Sequence, residues 1–328
     1  MQRLNLFFFI CATLPFMGCD DDDNPITFPD EIIVTSETLY PEGVAFNSAA
    51  NEFYLGSLFL GKIGRVDLAG NYSEFITDDE LIGAVGLHLS NDNSTLYVAT
   101  SDPGFVAKSS QETGGTYAQV LGFNTQTSEK VLSVNLAALN PNAGNFANDV
   151  TQDNQGNLYV TNSFSPLIFR VNSTNNSAEV LVEDQRWQAD GFGLNGIVYH
   201  PEGYLLVIHS ETGLLYKVSL DGQMVDLVDI DRTMIDGDGL ILNNDNQLIV
   251  VANGSSNNLE SRVFQVNSSN DWSSATITDE FIPNSSFNFP STGTRIADNN
   301  YYIIHAKLNE LFSGGPLTND FLLERVEF

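Results

Sequence analysis

Cysteine is nearly absent from this chain, which has two, Cys11 and Cys19, in 328 residues. Cys11 lies inside an N-terminal apolar segment that we predict to be removed from the mature protein. The mature chain then has no pair of thiols to oxidise, which excludes a fold held together by disulfides. Burial of apolar surface, with or without a bound metal ion, has to stabilise the fold.

Basic residues are also scarce. The chain has 13 Lys and Arg residues against 42 Asp and Glu residues, and its formal net charge is −29. Such a chain repels nucleic acid and anionic lipid headgroups, so we expect no nucleic-acid partner. The excess of carboxylates either keeps the protein soluble outside the cell or produces a field that concentrates cations near a binding site.

The apolar run from Leu4 to Phe16 is too short to cross a bilayer. Arg3 is the only charged residue within 1–18, a pattern typical of a secretory signal peptide. The run is followed by Met17-Gly18-Cys19, which resembles the lipobox of bacterial lipoproteins and predicts lipidation of Cys19.

A lipid on Cys19 predicts a protein of the bacterial cell envelope, anchored to the outer membrane or the cell surface. Residues 19–30, which include Asp20 to Asp23, then form an acidic tether. The alternative is an ordinary secreted protein with one free thiol.

Helical periodicity is almost absent. Alternating apolar residues punctuated by Gly and Pro indicate short antiparallel strands, as in Ile197 to His200, Tyr204 to His209 and Leu214 to Val218. The same phrase recurs in six copies. The copies begin at Pro41, Ala84, Ala147, Phe192, Gly237 and Ser291.

The sixth copy lacks a fourth strand, whereas a spare strand, Glu31 to Glu37, precedes the first copy. A ring of four-stranded blades closes if the spare strand completes the last blade. We therefore predict an all-β, six-bladed β-propeller over residues 31–328. A sandwich or an open array of sheets is the alternative, and it leaves the spare strand unexplained.

One position recurs near the start of every first strand, before a glycine or its equivalent. It is occupied by Glu42, Val85, Asn148, Asn195, Asp238 and Thr292. Because first strands are innermost in a propeller, pseudo-rotation places these side chains around one axis. Four of them carry oxygen ligands that suit a hard cation, and the set contains no Cys or His, so it predicts one axial Ca²⁺ and not zinc. The alternative is that Asn-Gly and Asp-Gly are turn dipeptides.

The motifs PEGVAF, NDVTQDNQGNLYVTNS, LNGIVYHPEGYLLVIHS and DGDGLIL resemble the senescence marker protein, gluconolactonase and luciferin-regenerating-enzyme family and its calcium-dependent phosphotriesterase relatives. The resemblance covers nearly all of the mature chain. It implies a six-bladed propeller whose axial calcium is bound by Glu42, Asn148, Asn195 and Asp238, and hydrolysis of a lactone or phosphoester. The sugar-lactonase branch has a substrate-holding Arg where this chain has Phe146, so we expect a more apolar ester or lactone.

The resemblance also assigns Asp238 as the base or nucleophile beside the metal. Residues at the ends of second strands should face the same side of the disc. Among them, His209 and His305 are candidate acid/base groups, and Ser163 and Asn253 are candidate pocket residues together with Phe146. For each histidine the alternative is a hydrogen-bonded wall residue.

Two long loops, 102–116 and 307–320, follow second strands and should reach the metal face. Their Phe105, Leu311 and Phe312 form either an apolar lid or plain surface decoration. Three functions remain: a calcium-dependent hydrolase of a lactone or related ester, a non-catalytic envelope binding propeller with structural calcium, and a strictosidine-synthase-like lyase.

Overall fold

The computed structural model describes residues 26–255, 259–284, 286–297 and 299–328. The predicted signal peptide 1–18, the lipidation site Cys19 and residues 20–25 lie outside the described residues. Within the described ranges the regular secondary structure is almost entirely β-strand, with one short α-helix, α1 (Leu308–Phe312), and two 3-10 helices, Ala137–Leu139 and Gln185–Trp187, which confirms the all-β prediction. No described helix has the length and apolar character that crossing a membrane requires.

The strands are named here in chain order. They are β1 (Glu31–Thr35), β2 (Pro41–Asn47), β3 (Glu52–Ser57), β4 (Lys62–Asp67), β5 (Tyr72–Thr77), β6 (Ala84–Leu89), β7 (Thr95–Ser101), β8 (Ala118–Asn124), β9 (Lys130–Asn135), β10 (Ala147–Gln152), β11 (Asn157–Asn162), β12 (Leu167–Asn172), β13 (Ser177–Glu183), β14 (Leu194–His200), β15 (Tyr204–His209), β16 (Leu214–Ser219), β17 (Val225–Leu227), β18 (Asp229–Ile230), β19 (Gly237–Leu242), β20 (Leu248–Ala252), β21 (Arg262–Asn267), β22 (Ser274–Phe281), β23 (Pro290–Ala297), β24 (Asn300–His305) and β25 (Asp320–Glu327).

These strands form six sheets, which are the blades of a propeller. Blades one to four are β2–β5, β6–β9, β10–β13 and β14–β17, blade five contains β19–β22, and blade six has the order β1-β25-β24-β23. The innermost strands β2, β6, β10, β14, β19 and β23 contact one another in sequence, and β23 contacts β2. The ring is therefore closed, and the predicted six-bladed propeller is confirmed.

Closure depends on β1, which pairs antiparallel with β25 through partners such as Ile32 and Leu323. The side chains of β1 alternate strictly between exposed and buried. The N-terminal strand thus completes the last blade as predicted, and its apolar face joins the core between blades six and one.

Blade four differs from the prediction at its outer edge. A four-stranded blade needs one outer strand after β16, but the segment from Met224 to Ile230 divides at Val228 into β17, which stays in blade four, and β18, which pairs parallel with β22 of blade five. Val228 is buried in the core between these two blades. At Val228 the backbone passes from blade four to blade five, so this segment links the two blades.

The described end of the predicted tether packs against the propeller. The ring of Phe28 lies 5.9 Å from that of Phe46, and the backbone N–H of Arg325 donates to the carbonyl of Asp30 at 2.8 Å. The Tyr302 hydroxyl donates to the carbonyl of Pro29. Residues 28–30, at the end of the predicted acidic tether 19–30, therefore contact the folded domain.

The closing strand offers a matched pair of variants. Val34 is fully buried, whereas its neighbour Ile33 is 53% exposed on the other face of β1. We expect Val34→Asp to lower the free energy of unfolding by about 3 kcal/mol or more, because a carboxylate is buried without a partner. Ile33→Asp should change it by less than about 0.5 kcal/mol. Urea unfolding of both variants measures the difference, and equal losses would show that β1 does not close the ring.

Candidate functional site

The first strand of every blade is interrupted at the same point. The pairing register shifts at Glu42 in β2, at Asn148 and Asp149 in β10, at Asn195 and Gly196 in β14, and at Asp238 and Gly239 in β19. A β-bulge of this kind bends a strand and redirects a side chain. All four predicted metal ligands therefore lie on bulges of innermost strands. We call these four residues, Glu42, Asn148, Asn195 and Asp238, the hub.

Two glycines show why these bulges contain Gly. A Cβ on Gly43 would lie 2.1 Å from the carbonyl oxygen of Val85, and one on Gly196 would lie 2.3 Å from that of Asp238. Both glycines are inside strands, and neither has a positive φ. The close approach of the neighbouring blade requires them, so the interpretation of Asn195-Gly196 as a turn dipeptide is wrong.

Blade six corrects the predicted ring by one residue. Its bulge lies at Ser291, between Pro290 and Thr292, as the bulge of blade one lies at Glu42 between Pro41 and Gly43. Ser291, not Thr292, is therefore the equivalent of Glu42. Its hydroxyl donates to the carbonyl of Glu42 at 2.8 Å, so it fixes the backbone of the neighbouring blade.

Two cavities meet at the hub. A channel of about 500 Å³ runs along the innermost strands, and a smaller mouth cavity of about 190 Å³ lies beside the loops that follow the second strands. Within the described residues, the four hub side chains are the ones that line both cavities. The structure thus brings together all four predicted ligands, at the boundary between the channel and the mouth.

Hydrogen bonds orient the hub side chains. The side chain of Asn253 donates through Nδ2 to Oδ2 of Asp238 at 2.8 Å, and the amide of Asn195 donates to the same carboxylate. Nδ2 of Asn148 donates to Oγ of Ser163 at 2.9 Å. Because the amide nitrogens of Asn148 and Asn195 are engaged, their amide oxygens are the groups that remain for a cation.

The hub brings the carboxylates of Glu42 and Asp238 together in a buried part of the protein. Burial raises the pKa of Glu42 well above its usual range, and the nearby charges of Asp238 and Asp149 raise it further. Burial likewise raises the pKa of Asp238, although Asn253 and Asn195 donate to it. None of the described residues that line the mouth cavity is Lys, Arg or His. A bound cation is the natural counter-charge for such a group of carboxylates.

Asp149 is a half-buried carboxylate that occupies the position held by glycine in the bulges of blades one, four and five. Its Oδ2 accepts from the backbone N–H of Ile197 at 3.1 Å, and burial raises its pKa to about 7. It lines the channel but not the mouth cavity. No three His, Cys, Asp or Glu side chains among the described residues are placed to hold a metal ion, so a cation at the hub depends on two carboxylates and two amides.

The two predicted acid/base histidines lie in the blade walls. Both are fully buried, and neither lines the channel or the mouth cavity. The ring of His209 is 3.2 Å from the carbonyl oxygen of Trp187 and 3.1 Å from Oγ1 of Thr212. The ring of His305 is 2.9 Å from the carbonyl oxygen of Phe287 and 2.8 Å from Oε2 of Glu324. All four ring nitrogens are engaged in the walls, so the prediction that His209 and His305 act on a substrate is corrected.

Ser163 also differs from the prediction. Its hydroxyl donates to the carbonyl of Leu194 at 2.6 Å and accepts from Asn148, and it lines neither cavity. Ser101 similarly donates to the carbonyl of Ala147 at 3.0 Å. Bulged strands have carbonyl groups without ladder partners, and hydroxyls from the preceding blade satisfy them. Ser163 therefore positions Asn148 and does not form a pocket wall.

The walls of the mouth cavity are mainly aromatic. Phe146, which was predicted, lies 5.1 Å from Phe164 and 5.3 Å from Phe192 between ring centres. Oδ1 of Asn162 accepts from the backbone N–H groups of Phe146 and Phe164 at 2.9 and 3.1 Å, which holds this cluster in place. Asn253, also predicted, lines the cavity.

The two long loops meet over the mouth. The ring of Phe312 lies 5.5 Å from Phe105, 5.9 Å from Phe289 and 6.3 Å from Phe192. Phe312 and Pro103 line the cavity, whereas Leu311 is buried in the core. The predicted apolar cover is thus formed without Leu311. Phe192, Phe289 and Leu308 were not predicted as pocket residues, because only their packing in three dimensions directs them to the mouth.

No protein-family model matches the sequence, and no curated protein matches it. Among solved structures, the major allergen Mala s 1 of Malassezia sympodialis aligns with a TM-score of 0.72 and 18% identity, over 91% of this chain and 96% of that chain. Regucalcin from Agrobacterium tumefaciens, a calcium-binding protein, aligns with a TM-score of 0.59 and 14% identity, over 92% and 94%. A protein assigned as a gluconolactonase aligns with a TM-score of 0.59 and 11% identity, over 92% and 94%. These similarities show the fold that the sequence resemblance implied; at such identities they show no activity.

Gly196, the glycine that follows the hub residue Asn195, allows a test of the bulge geometry. We expect Gly196→Ala to lower the free energy of unfolding by about 1–3 kcal/mol, because its Cβ would meet the carbonyl of Asp238. Gly191→Ala is the matched control, since nothing lies within 4 Å of a Cβ at that position. Thermal unfolding of the two variants measures the effect, and a neutral Gly196→Ala would contradict the close approach of blades four and five.

Proposed function

We propose that this propeller binds Ca²⁺ at Glu42, Asn148, Asn195 and Asp238 and hydrolyses a lactone or related (phospho)ester in the mouth cavity. One observation carries the proposal: these four side chains are the residues shared by the two cavities. A cation bound there would be accessible to any molecule that enters the mouth.

The donor set supports calcium as the cation. Two carboxylates and two amide oxygens form an oxygen-only site, which calcium prefers and zinc does not. The carboxylates would be ionised in such a site, because a dication reverses the effect of burial on their pKa values. The similar structures, which include a calcium-binding protein and an assigned gluconolactonase, support the same proposal.

In the proposed ester cleavage, each hub residue has a defined role. The cation would polarise the carbonyl or phosphoryl oxygen of the substrate. Asp238, oriented by Asn253 and Asn195, would take a proton from water as a general base or attack the electrophile directly. The ester C–O or P–O bond breaks, and water supplies the hydroxyl of the acid and the proton of the alcohol. Glu42 would remain a ligand throughout.

The mouth offers little help to a poor leaving group. Among the described residues, its lining contains no Lys, Arg or His, and both His209 and His305 are engaged in the walls. Aryl esters, whose phenoxide leaving groups need little protonation, and lactones, whose ring holds the ester in its more reactive conformation, therefore fit this site better than amides do. The same observation favours the second candidate function, a non-catalytic binding propeller in which calcium is structural.

Two variants separate a catalytic cation from a structural one. We expect Glu42→Gln to weaken calcium binding. Asp238→Asn should weaken calcium binding too, and it should also lower turnover by at least about 100-fold. Saturating calcium should then restore part of the turnover of Glu42→Gln but none of that of Asp238→Asn. The measurements are melting temperatures with calcium or a chelator and hydrolysis of lactones and aryl phosphotriesters.

Asp153→Asn is the control for this experiment, because Asp153 is a buried carboxylate that lines neither cavity. It should keep the calcium-dependent rise in melting temperature, which corresponds to about 2.7 kcal/mol at a calcium concentration of 100 Kd. Full activity of Asp238→Asn would refute its assignment. A large calcium effect with no turnover of any substrate would instead support the binding propeller.

We also propose that a lipid on Cys19 anchors the protein in the bacterial cell envelope. The support is the apolar run that ends in Met17-Gly18-Cys19 and the start of the folded domain soon afterwards. Cys19→Ser should move the protein from the membrane fraction to the soluble fraction and stop incorporation of a labelled fatty acid. Unchanged membrane association of the variant would contradict the anchor.

A further inference from the structure

The mouth cavity is polar at its floor and apolar over most of its walls. Besides the hub, the apolar lining consists of Leu58, Pro103, Phe146, Phe192, Phe289, Leu308 and Phe312. The polar wall residues are Ser210, Asn253 and Ser255, which follow second strands of blades four and five. A molecule in this cavity therefore meets the hub at one end and apolar carbon over most of the rest.

Fewer polar wall groups are available to hydrogen-bond a ligand than the list of polar wall residues indicates. Nδ2 of Asn253 donates to Asp238, and its Oδ1 accepts from the backbone N–H of Ser255 at 3.0 Å. Among the described wall residues, the side chains of Ser210 and Ser255 and the second N–H of Asn253 are then the groups left to hydrogen-bond a ligand. A ligand with several hydroxyl groups would bury most of them unpaired, and each such group weakens binding by about tenfold or more.

The size of the cavity sets an upper limit on the apolar body of the ligand. A cavity of about 150 Å³ lined by aliphatic and aromatic side chains holds one benzene molecule. The mouth cavity, at about 190 Å³, has room for one six-membered ring with a small polar head or substituent. A larger body would extend past Phe312, which is 43% exposed at the rim, and out of the cavity.

We infer that the substrate is an uncharged ester or lactone with one acyl or phosphoryl head at the hub and an apolar body about the size of a six-membered ring. This inference rests on the proposed function and narrows it to a substrate class. Phe146 and Phe312 are the specificity-determining residues, and polyhydroxylated sugar lactones are excluded. Anionic ligands are disfavoured, because the two hub carboxylates already balance the charge of a bound dication and, among the described residues, no basic side chain lines the mouth.

A pair of lactams tests the substrate class without any catalysis. D-Gluconolactam and a methyl-substituted δ-valerolactam share the six-membered ring and the amide head, and they differ in their hydroxyl groups. Calorimetric titration of the calcium-loaded protein should show the methyl-valerolactam binding at least tenfold more tightly. Equal or tighter binding of gluconolactam, or no binding of either, would overturn the inference. Because lactams resist hydrolysis, a preference for methyl-valerolactam supports it even where no lactone is turned over.

Variants of the wall link this preference to the aromatic residues. Phe312→Ser should weaken methyl-valerolactam binding by roughly fivefold, since apolar contact area is lost. Because Phe312 lies at the rim of the cavity, the variant should still fold. Phe146→Leu, which keeps an apolar wall, should weaken it less. Phe281→Ser, on β22 and outside the cavity lining, is the matched control and should leave affinity within twofold. Unchanged affinity in Phe312→Ser would contradict its role.

Discussion

Glu42 and Asp238 repel each other in a buried hub, and the burial of both is costly unless a cation compensates. The arrangement around them follows from this constraint. Bulges in the innermost strands direct the four hub side chains to one place, and glycines such as Gly196 let adjacent blades come close enough to bring them together. Asn253 donates to Asp238 and so stabilises the charged form. The fold thus places two carboxylates in a buried site where a hard dication would balance their charge.

The propeller and its hub were largely predictable from the sequence because both follow from local patterns. Strands alternate with a period of two, turns are marked by Gly and Pro, and the second strand of blade four, Tyr204–His209, was predicted with its observed bounds. Equivalent positions in a ring of repeats must share a radius and a height. The register alone therefore placed Glu42, Asn148, Asn195 and Asp238 around one axis, even though no two of them are neighbours in the chain.

The incorrect predictions concern side chains whose hydrogen-bond partners are far away in the sequence or on a different strand. A register predicts that His209 and His305 lie near the mouth face, but not that Trp187 and Glu324 engage their rings. Ser163 was expected in the pocket, and it instead hydrogen-bonds a carbonyl group that a bulge leaves unpaired. The aromatic walls were only partly foreseen, because they gather residues from loops that are far apart in sequence. Such pairings are tertiary, and no periodic pattern reports them.

The aromatic mouth and the acidic hub are physically dependent on each other. Apolar walls such as Phe146 and Phe192 lower the local dielectric constant, and electrostatic interactions strengthen in such surroundings. A cation at the hub would therefore act more strongly on a substrate oxygen here than in an open, hydrated funnel. The same walls leave little for a polyhydroxylated ligand to bind. One feature, the packing of aromatic rings around the hub, thus determines both the strength of the electrostatic effect and the class of molecule that can use it.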